Sequence, residues 1–263
     1  MSSAHPREHR CAVAIAACLL IAIATGACLT SESLPLPGSD APAKLMAGVG
    51  ALRETHRYIA EGTAGLAALF SVWLLLRGTT MWQRAAAALT LVIVLVECWL
   101  GSGATPGMAH AVLAPVLFSC VVAIAILTAA DSSPATPADP RQAGLVRAIP
   151  LVILFQIVLG AAFRHNFANV LWHILDAMVV ISLVLTVSVL LLRPPAVSRG
   201  MRTATLTLAI VAGVQVLLGF AVYIALLMSA ENSVAIVALS TAHVVTGTLT
   251  LAAGVALALQ VRP

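Results

Sequence analysis

Apolar residues in this chain come in near-continuous runs rather than in alternation. Each run is about 20 residues long, the length a helix needs to cross the hydrocarbon core of a bilayer. Eight such runs are read, at about 11–29, 56–76, 84–102, 108–129, 146–164, 169–192, 203–227 and 234–260. The breaks between them are polar or rich in Pro and Gly, and only 30–50 and 131–142 are long. The pattern predicts an all-α integral membrane protein with eight transmembrane helices.

Composition excludes the soluble alternative. Hydrophobic residues make up 61% of the 263 and charged residues 9%, with a mean hydropathy of +1.05. A soluble domain averages about 25% charged residues, so this chain could not cover a globular surface. The net charge of +4 does not indicate a nucleic-acid partner, because the arginines sit in short breaks where they set topology. If both ends lie inside, the inner segments hold Arg7, Arg10, Arg77, Arg84, Arg141, Arg147, Arg193, Arg199, Arg202 and Arg262. The outer segments hold Lys44, Arg53, Arg57 and Arg164. This bias predicts a multi-pass protein of the cell inner (cytoplasmic) membrane with both termini cytoplasmic.

The five cysteines, Cys11, Cys18, Cys28, Cys98 and Cys120, form no CxxC or CxxCH. Zinc and covalent c-type haem therefore have no support. Four of them read as small apolar side chains. Cys28, in Ala24-Thr25-Gly26-Ala27-Cys28, faintly resembles a lipoprotein cleavage site; the other reading is a first membrane helix.

Four histidines change the picture. His56, His110, His173 and His243 stand near one end of alternate apolar runs. A histidine in a membrane helix is costly unless something binds it. Four at similar depth suggest two axial pairs, and the usual client of such a pair in a bilayer is haem. Three of the four outer cations, Arg53, Arg57 and Arg164, flank a histidine. They read equally as partners for haem propionates or as snorkelling interfacial arginines.

A short repeat runs in register with these histidines. Glu97-Cys98-Trp99-Leu100-Gly101, Gln156-Ile157-Val158-Leu159-Gly160 and Gln215-Val216-Leu217-Leu218-Gly219 share a polar residue followed by Leu-Gly. Glycine lets helices approach closely, and Gln or Glu can bond across to a neighbour. The recurrence implies two pseudo-symmetric four-helix bundles, residues 1–130 and 145–263, each with two inward histidines.

Among the acids, Glu97 takes the place Gln holds in the other repeats and reads best as an interhelical hydrogen-bonding group. Glu54, beside His56, is either a proton shuttle or a solvated acid at a helix start. Glu61 lies on another face from His56. Asp176 shares the face of His173 and reads as a neighbour of a haem edge or a bond to another helix. His165 reads as a surface residue, and His5 and His9 as part of a tail. P-loop, GxGxxG, GxSxG and HExxH motifs are absent, so nucleotide chemistry and standard hydrolysis have no support.

Taken in order, these elements resemble the haem A synthases, which convert haem O to haem A during cytochrome oxidase assembly. The resemblance covers nearly the whole chain: eight spans in two halves, histidines opening the even helices, Glu54-Thr55-His56-Arg57 on helix two, Gln-x-x-Leu-Gly on helices five and seven, and Arg164-His165 after helix five. It implies that His173 and His243 ligate a haem b that passes electrons, and that His56 and His110 flank the substrate haem. The implied reaction oxidises the C8 methyl group of haem O to a formyl group, with Glu54 as the essential glutamate. Implied partners are the lipid bilayer, haem O synthase or terminal oxidase assembly factors, and a further copy of the chain. The family pattern is Glu-x-x-His-Arg, whereas here one residue separates Glu54 from His56 and Arg53 holds the acidic position. The cysteine pairs of many members are also missing from loop 30–50. Two other readings keep the same residues: a diheme electron-transfer protein that leaves its haem unmodified, and a respiratory-complex subunit whose histidines only hydrogen-bond.

Overall fold

The computed structural model describes residues 6–32, 49–78, 80–103, 107–129, 136–137, 139–193, 197–228 and 233–262. Among them are eight helices: α1 (Pro6–Glu32), α2 (Val49–Arg77), α3 (Met81–Gly101), α4 (Met108–Thr128), α5 (Pro140–Arg164), α6 (Val170–Leu192), α7 (Arg199–Met228) and α8 (Ser233–Ala258). All eight are long and apolar enough to cross a membrane. A two-residue parallel bridge pairs β1 (Thr136–Pro137) with β2 (Val261–Arg262). Lys44, His5 and most of loop 30–50 lie outside the described residues.

The helix ends follow local chemistry. Thr80 caps α3 with a capping box, its Oγ1 accepting from Gln83 N at 3.2 Å and Gln83 Oε1 accepting from Thr80 N at 3.3 Å. Asp139 caps α5 through Arg141 N, with Pro140 at the first helical position. The end of α5 is a Schellman turn. Asn166 takes the left-handed conformation at φ 60°, Phe167 N bonds Ala162 O and Asn166 N bonds Phe163 O. Asn169 then caps α6 through Leu171 N.

Three helices start well before their predicted positions: α1 at Pro6 for 11, α5 at Pro140 for 146, and, furthest, α2. Helix α2 begins at Val49, seven residues before the predicted start at 56. The Gly50, Arg53 and Glu54 stretch is too polar to score as membrane-spanning, yet it contains nothing that stops a helix.

Helices α1–α4 touch in a closed ring, α1 and α3 each packing against α2 and α4. Helices α5–α8 form a second ring, α5 and α7 each packing against α6 and α8. Between the rings, α8 lies against α1 and α4, and α4 also meets α5. Each ring has its own apolar core, around Leu74, Val94, Val121 and Ile124 in the first and Val146, Ile149, Val184, Leu208 and Leu257 in the second. Lipid tails are as apolar as these side chains, so close van der Waals packing holds the rings together. Where α8 meets α5, a Cβ on Gly254 would stand 3.2 Å from both Ile149 and Ile153. Outward faces carry Leu69, Leu76, Leu151 and Leu217, and exposed Trp82, Trp99 and Trp172 stand near helix ends, as interfacial aromatics do.

The last turns of α1, α3, α5 and α7 and the first turns of α2, α4, α6 and α8 share one end of the protein, here the histidine end. The opposite, arginine end is tied by His9 Nδ1 at 2.8 Å from Ala125 O and by Gln83 Nε2 donating to Leu127 O. His9 is therefore not part of a tail. It sits in the first turns of α1 and satisfies a carbonyl that the end of α4 leaves open.

Candidate functional site

Each of the four histidines lies against the odd-numbered helix that precedes it, and each meets a glycine there. A Cβ on Gly26 would stand 2.8 Å from His56 Cε1, on Gly160 2.9 Å from His173 Cε1, and on Gly219 2.9 Å from His243 Cε1. On Gly101 it would stand 3.4 Å from His110 Cε1. Glycine is thus the residue that seats the imidazole against a neighbouring backbone. The sequence repeat contained three of these glycines. Gly26 escaped it because α1 has Ala22 and Thr25 where the other helices have Glu or Gln and Leu. The available signal was simpler: one glycine close to the outer end of each odd helix. Helix α1 also runs unbroken through Cys28 to Glu32.

The hydrogen bonds orient the rings. Thr25 gives its hydroxyl proton to the Ile21 and Ala22 carbonyls, so its oxygen accepts from His56 Nδ1 at 3.0 Å. The Gln156 carbonyl, which can only accept, lies 3.2 Å from His173 Nδ1. Glu97 Oε2 lies 2.5 Å from His110 Nδ1. In the rings of His56 and His173 Nδ1 faces an acceptor, leaving the lone pair on Nε2, while His110 Nδ1 contacts the carboxylate outside hydrogen-bond geometry. In the ring of His243, Gln215 Nε2 approaches Nε2 at 3.2 Å, so Nε2 again carries the lone pair, while Nδ1, like that of His110, is buried without a hydrogen-bond partner. Gln156 makes a looser approach of the same kind to His173 Nε2, at 3.5 Å, and bonds the His173 carbonyl at 2.9 Å.

Two of the rings meet directly. His173 and His243 have centroids 6.1 Å apart with planes at 83°. His56 and His110 are near enough to interact electrostatically. The His173–His243 pair suits a haem iron best: both rings are seated in glycine notches, His173 is held from behind through Nδ1, and each Nε2 faces only a glutamine amide that a metal would displace. The two rings are close enough for one group between the helices to touch both. Among the described residues no three His, Cys, Asp or Glu side chains gather as a metal cluster; an axial pair needs only two.

The arginines are placed differently from one another. Arg164 Nη2 donates to Thr30 Oγ1 at 2.8 Å and to Ser31 Oγ at 3.0 Å, and reaches the Ala27 carbonyl at 3.4 Å. A cation there favours the negative end of the α1 dipole and ties the second ring to the first. It is also within electrostatic reach of His243. Arg57 is exposed, lies over the Tyr58 ring and pairs loosely with Glu61 at 3.7 Å. Arg53 is exposed. His165 is partly buried outside the spans, and burial first, with Arg164 second, holds its pKa below the ordinary value of 6.5.

Two expectations about position are corrected. His56 does not open α2; it is the eighth residue, about two turns in. Glu54 is not a helix-start acid either. It stands inside the helix, exposed, and residues two apart on a helix do not face each other, so its carboxylate points away from His56. The acid that does touch a histidine is Glu97, almost fully buried on α3. Its interhelical contact is the one expected of it. Asp176 has one buried carboxylate oxygen without a partner.

Neither family models nor curated proteins give a match to this chain.

Proposed function

We propose that the chain is a haem A synthase-like membrane oxidoreductase that converts haem O to haem A by oxidising the C8 methyl group, with haem b as its resident cofactor. One observation carries this: two imidazoles from helices that face each other across the second ring, His173 and His243, stand 6.1 Å apart between centroids, each with Nε2 facing only a glutamine amide. Haem b, when bound there, supplies reversible one-electron transfer. His173 and His243 hold its iron; the Gln156 carbonyl and the Gly160 and Gly219 notches fix the rings; the apolar second-ring core excludes water. Arg164, beside His243, supplies positive charge for a propionate. In the first ring, His56 and His110 flank the substrate haem O, and Arg57 and Arg53 stand at the outer rim within reach of its propionates. Glu54 exchanges protons with water at that rim. The two rings are pseudo-equivalent halves, 1–130 and 145–263, arising by duplication. Both termini face the cytoplasm, and haem O synthase is the natural supplier of so insoluble a substrate.

The exposed, outward-turned Glu54 favours a second reading, in which the same four histidines serve a diheme electron-transfer protein that leaves its haem unmodified. The two are separated by product. Expression with a haem O supply, followed by haem extraction and chromatography with mass detection, should yield haem A or its hydroxylated precursor. Haem b alone, despite abundant haem O, would establish electron transfer instead. No haem at all would leave the histidines as packing and hydrogen-bonding groups.

A further inference from the structure

The four histidines are not equivalent in what stands behind them. On α5 and α7 the residue one turn before the glycine is Gln156 or Gln215, and its neutral amide rests near the Nε2 of its histidine, at 3.5 and 3.2 Å. On α3 the same position holds Glu97, and its carboxylate lies 2.5 Å from the other ring nitrogen, His110 Nδ1. Glu97 is only 7% exposed, and its second oxygen, Oε1, is buried with no partner. A carboxylate in a membrane span is expensive to keep. Replacing it by the glutamine that serves twice elsewhere in this chain is one codon letter's worth of chemistry, so its presence asks for a reason.

We propose that Glu97 is a positioning residue that makes the first-ring site electronically distinct from the second. This rests on the histidine–haem reading above. A carboxylate behind Nδ1 draws the imidazole proton, fixes the ring, and makes Nε2 a more basic ligand, as carboxylate–histidine–metal arrangements do. His110 becomes the most electron-donating of the four rings. Iron held by it is stabilised in the ferric state, so its midpoint potential lies below that of iron held by His173 and His243, whose hydrogen-bonding partners are neutral and whose nearby charge, Arg164, is positive. Two sites of like architecture are thereby given different chemistry by one oxygen-for-nitrogen exchange.

The test uses the full-length protein in detergent, titrated with iron protoporphyrin IX, reading affinity by absorbance and midpoint potential by redox titration. The variants are Glu97→Gln, Glu97→Asp, His110→Ala and His173→Ala. Glu97→Gln is expected to fold, since Gln occupies the matching position on two other helices. The component that His110→Ala removes should lose about 10- to 100-fold in affinity in Glu97→Gln and move to a higher potential. Glu97→Asp should fall between, and the component that His173→Ala removes should not move. If His110→Ala abolishes a component that Glu97→Gln leaves unchanged in affinity and potential, the role of Glu97 is overturned and the haem reading survives. If the wild-type protein binds no haem, or His110→Ala removes none, the reading beneath it fails and Glu97 has no such role.

Discussion

The ring of His173 stands edge-on to the ring of His243, 6.1 Å between centroids, although His173 lies in the first turn of α6 and His243 is the eleventh residue of α8. Counted along the helices, the two differ in depth by seven residues, or about 10 Å at 1.5 Å per residue. The contact exists because α8 begins that much further out than α6. Near-perpendicular axial imidazole planes give low-spin ferric haem a strongly anisotropic EPR spectrum. The protein loaded with haem b should show that signal, and His243→Ala or His173→Ala should abolish it. A rhombic spectrum typical of parallel rings would show that the two do not serve as the axial pair in this arrangement.

The glycine notches differ in tolerance. At Gly160 and Gly219 an added methyl would stand 2.9 Å from a histidine ring carbon, and at Gly101 3.4 Å. A Cβ has open space at Gly213, on the same helix as Gly219. Gly160→Ala and Gly219→Ala should each cost about 1–3 kcal/mol through overpacking and lower the haem retained on purification. Gly101→Ala should be milder. Gly213→Ala should be neutral or slightly stabilising, since Ala is the better helix former. Thermal unfolding in detergent, followed by circular dichroism and haem absorbance, ranks the four. Equal effects at all positions would mean that the glycines serve the helices and not the histidines.

The fold was legible because membrane helices announce themselves by length and apolarity alone: all eight runs are helices, and the α4 and α6 starts fall within a residue of the structure. The start of α2 was not, because in 49–55 the apolar Val49, Ala51 and Leu52 are broken up by Gly50, Arg53 and Glu54 and form no continuous run. That single boundary shifted both His56 and Glu54. The histidines were legible as a set through their alternation. Their partners were only partly so: Glu97 and the two glutamines stood out by register, whereas Thr25 and Gly26 looked like part of a processing signal. Contacts between distant helices, such as Arg164 with Thr30 and Ser31, have no local pattern at all.

That arginine contact carries its own prediction. Arg164 supplies charge-assisted hydrogen bonds to the end of α1, and such bonds are worth about 1.5–3 kcal/mol each. Arg164→Gln should lower the unfolding temperature and weaken haem binding at the His173–His243 site together. Arg164→Lys, which keeps the charge but loses the planar fork, should recover part of both. Loss of stability with unchanged haem affinity would assign Arg164 to joining the rings alone.

His165 gives a pH dependence. Its folded pKa lies below the ordinary 6.5 through burial and the neighbouring Arg164. The unfolded chain therefore binds that proton more readily than the folded one. The contribution is fully present above 6.5, declines as pH falls through that value, and levels off below the folded pKa. Unfolding temperatures measured from pH 8 down to 5 should show this decline. His165→Asn should reduce it; an unchanged profile would place the titration elsewhere.

Glu54 decides between the two functional readings. It is exposed, inside α2, and turned away from His56. If it carries protons for the oxidation of the methyl group, its removal should cost what a lost proton-transfer group typically costs, about 100- to 10,000-fold in rate. Glu54→Ala should then accumulate unconverted haem O while its haem b content and EPR signal stay those of the wild type. A Glu54→Asp variant should retain part of the activity, since the rim is open to water. Full conversion by Glu54→Ala would remove Glu54 from the reaction. Glu97, the only carboxylate in contact with one of the four histidines among the described residues, would then be the remaining acidic group at the first-ring site.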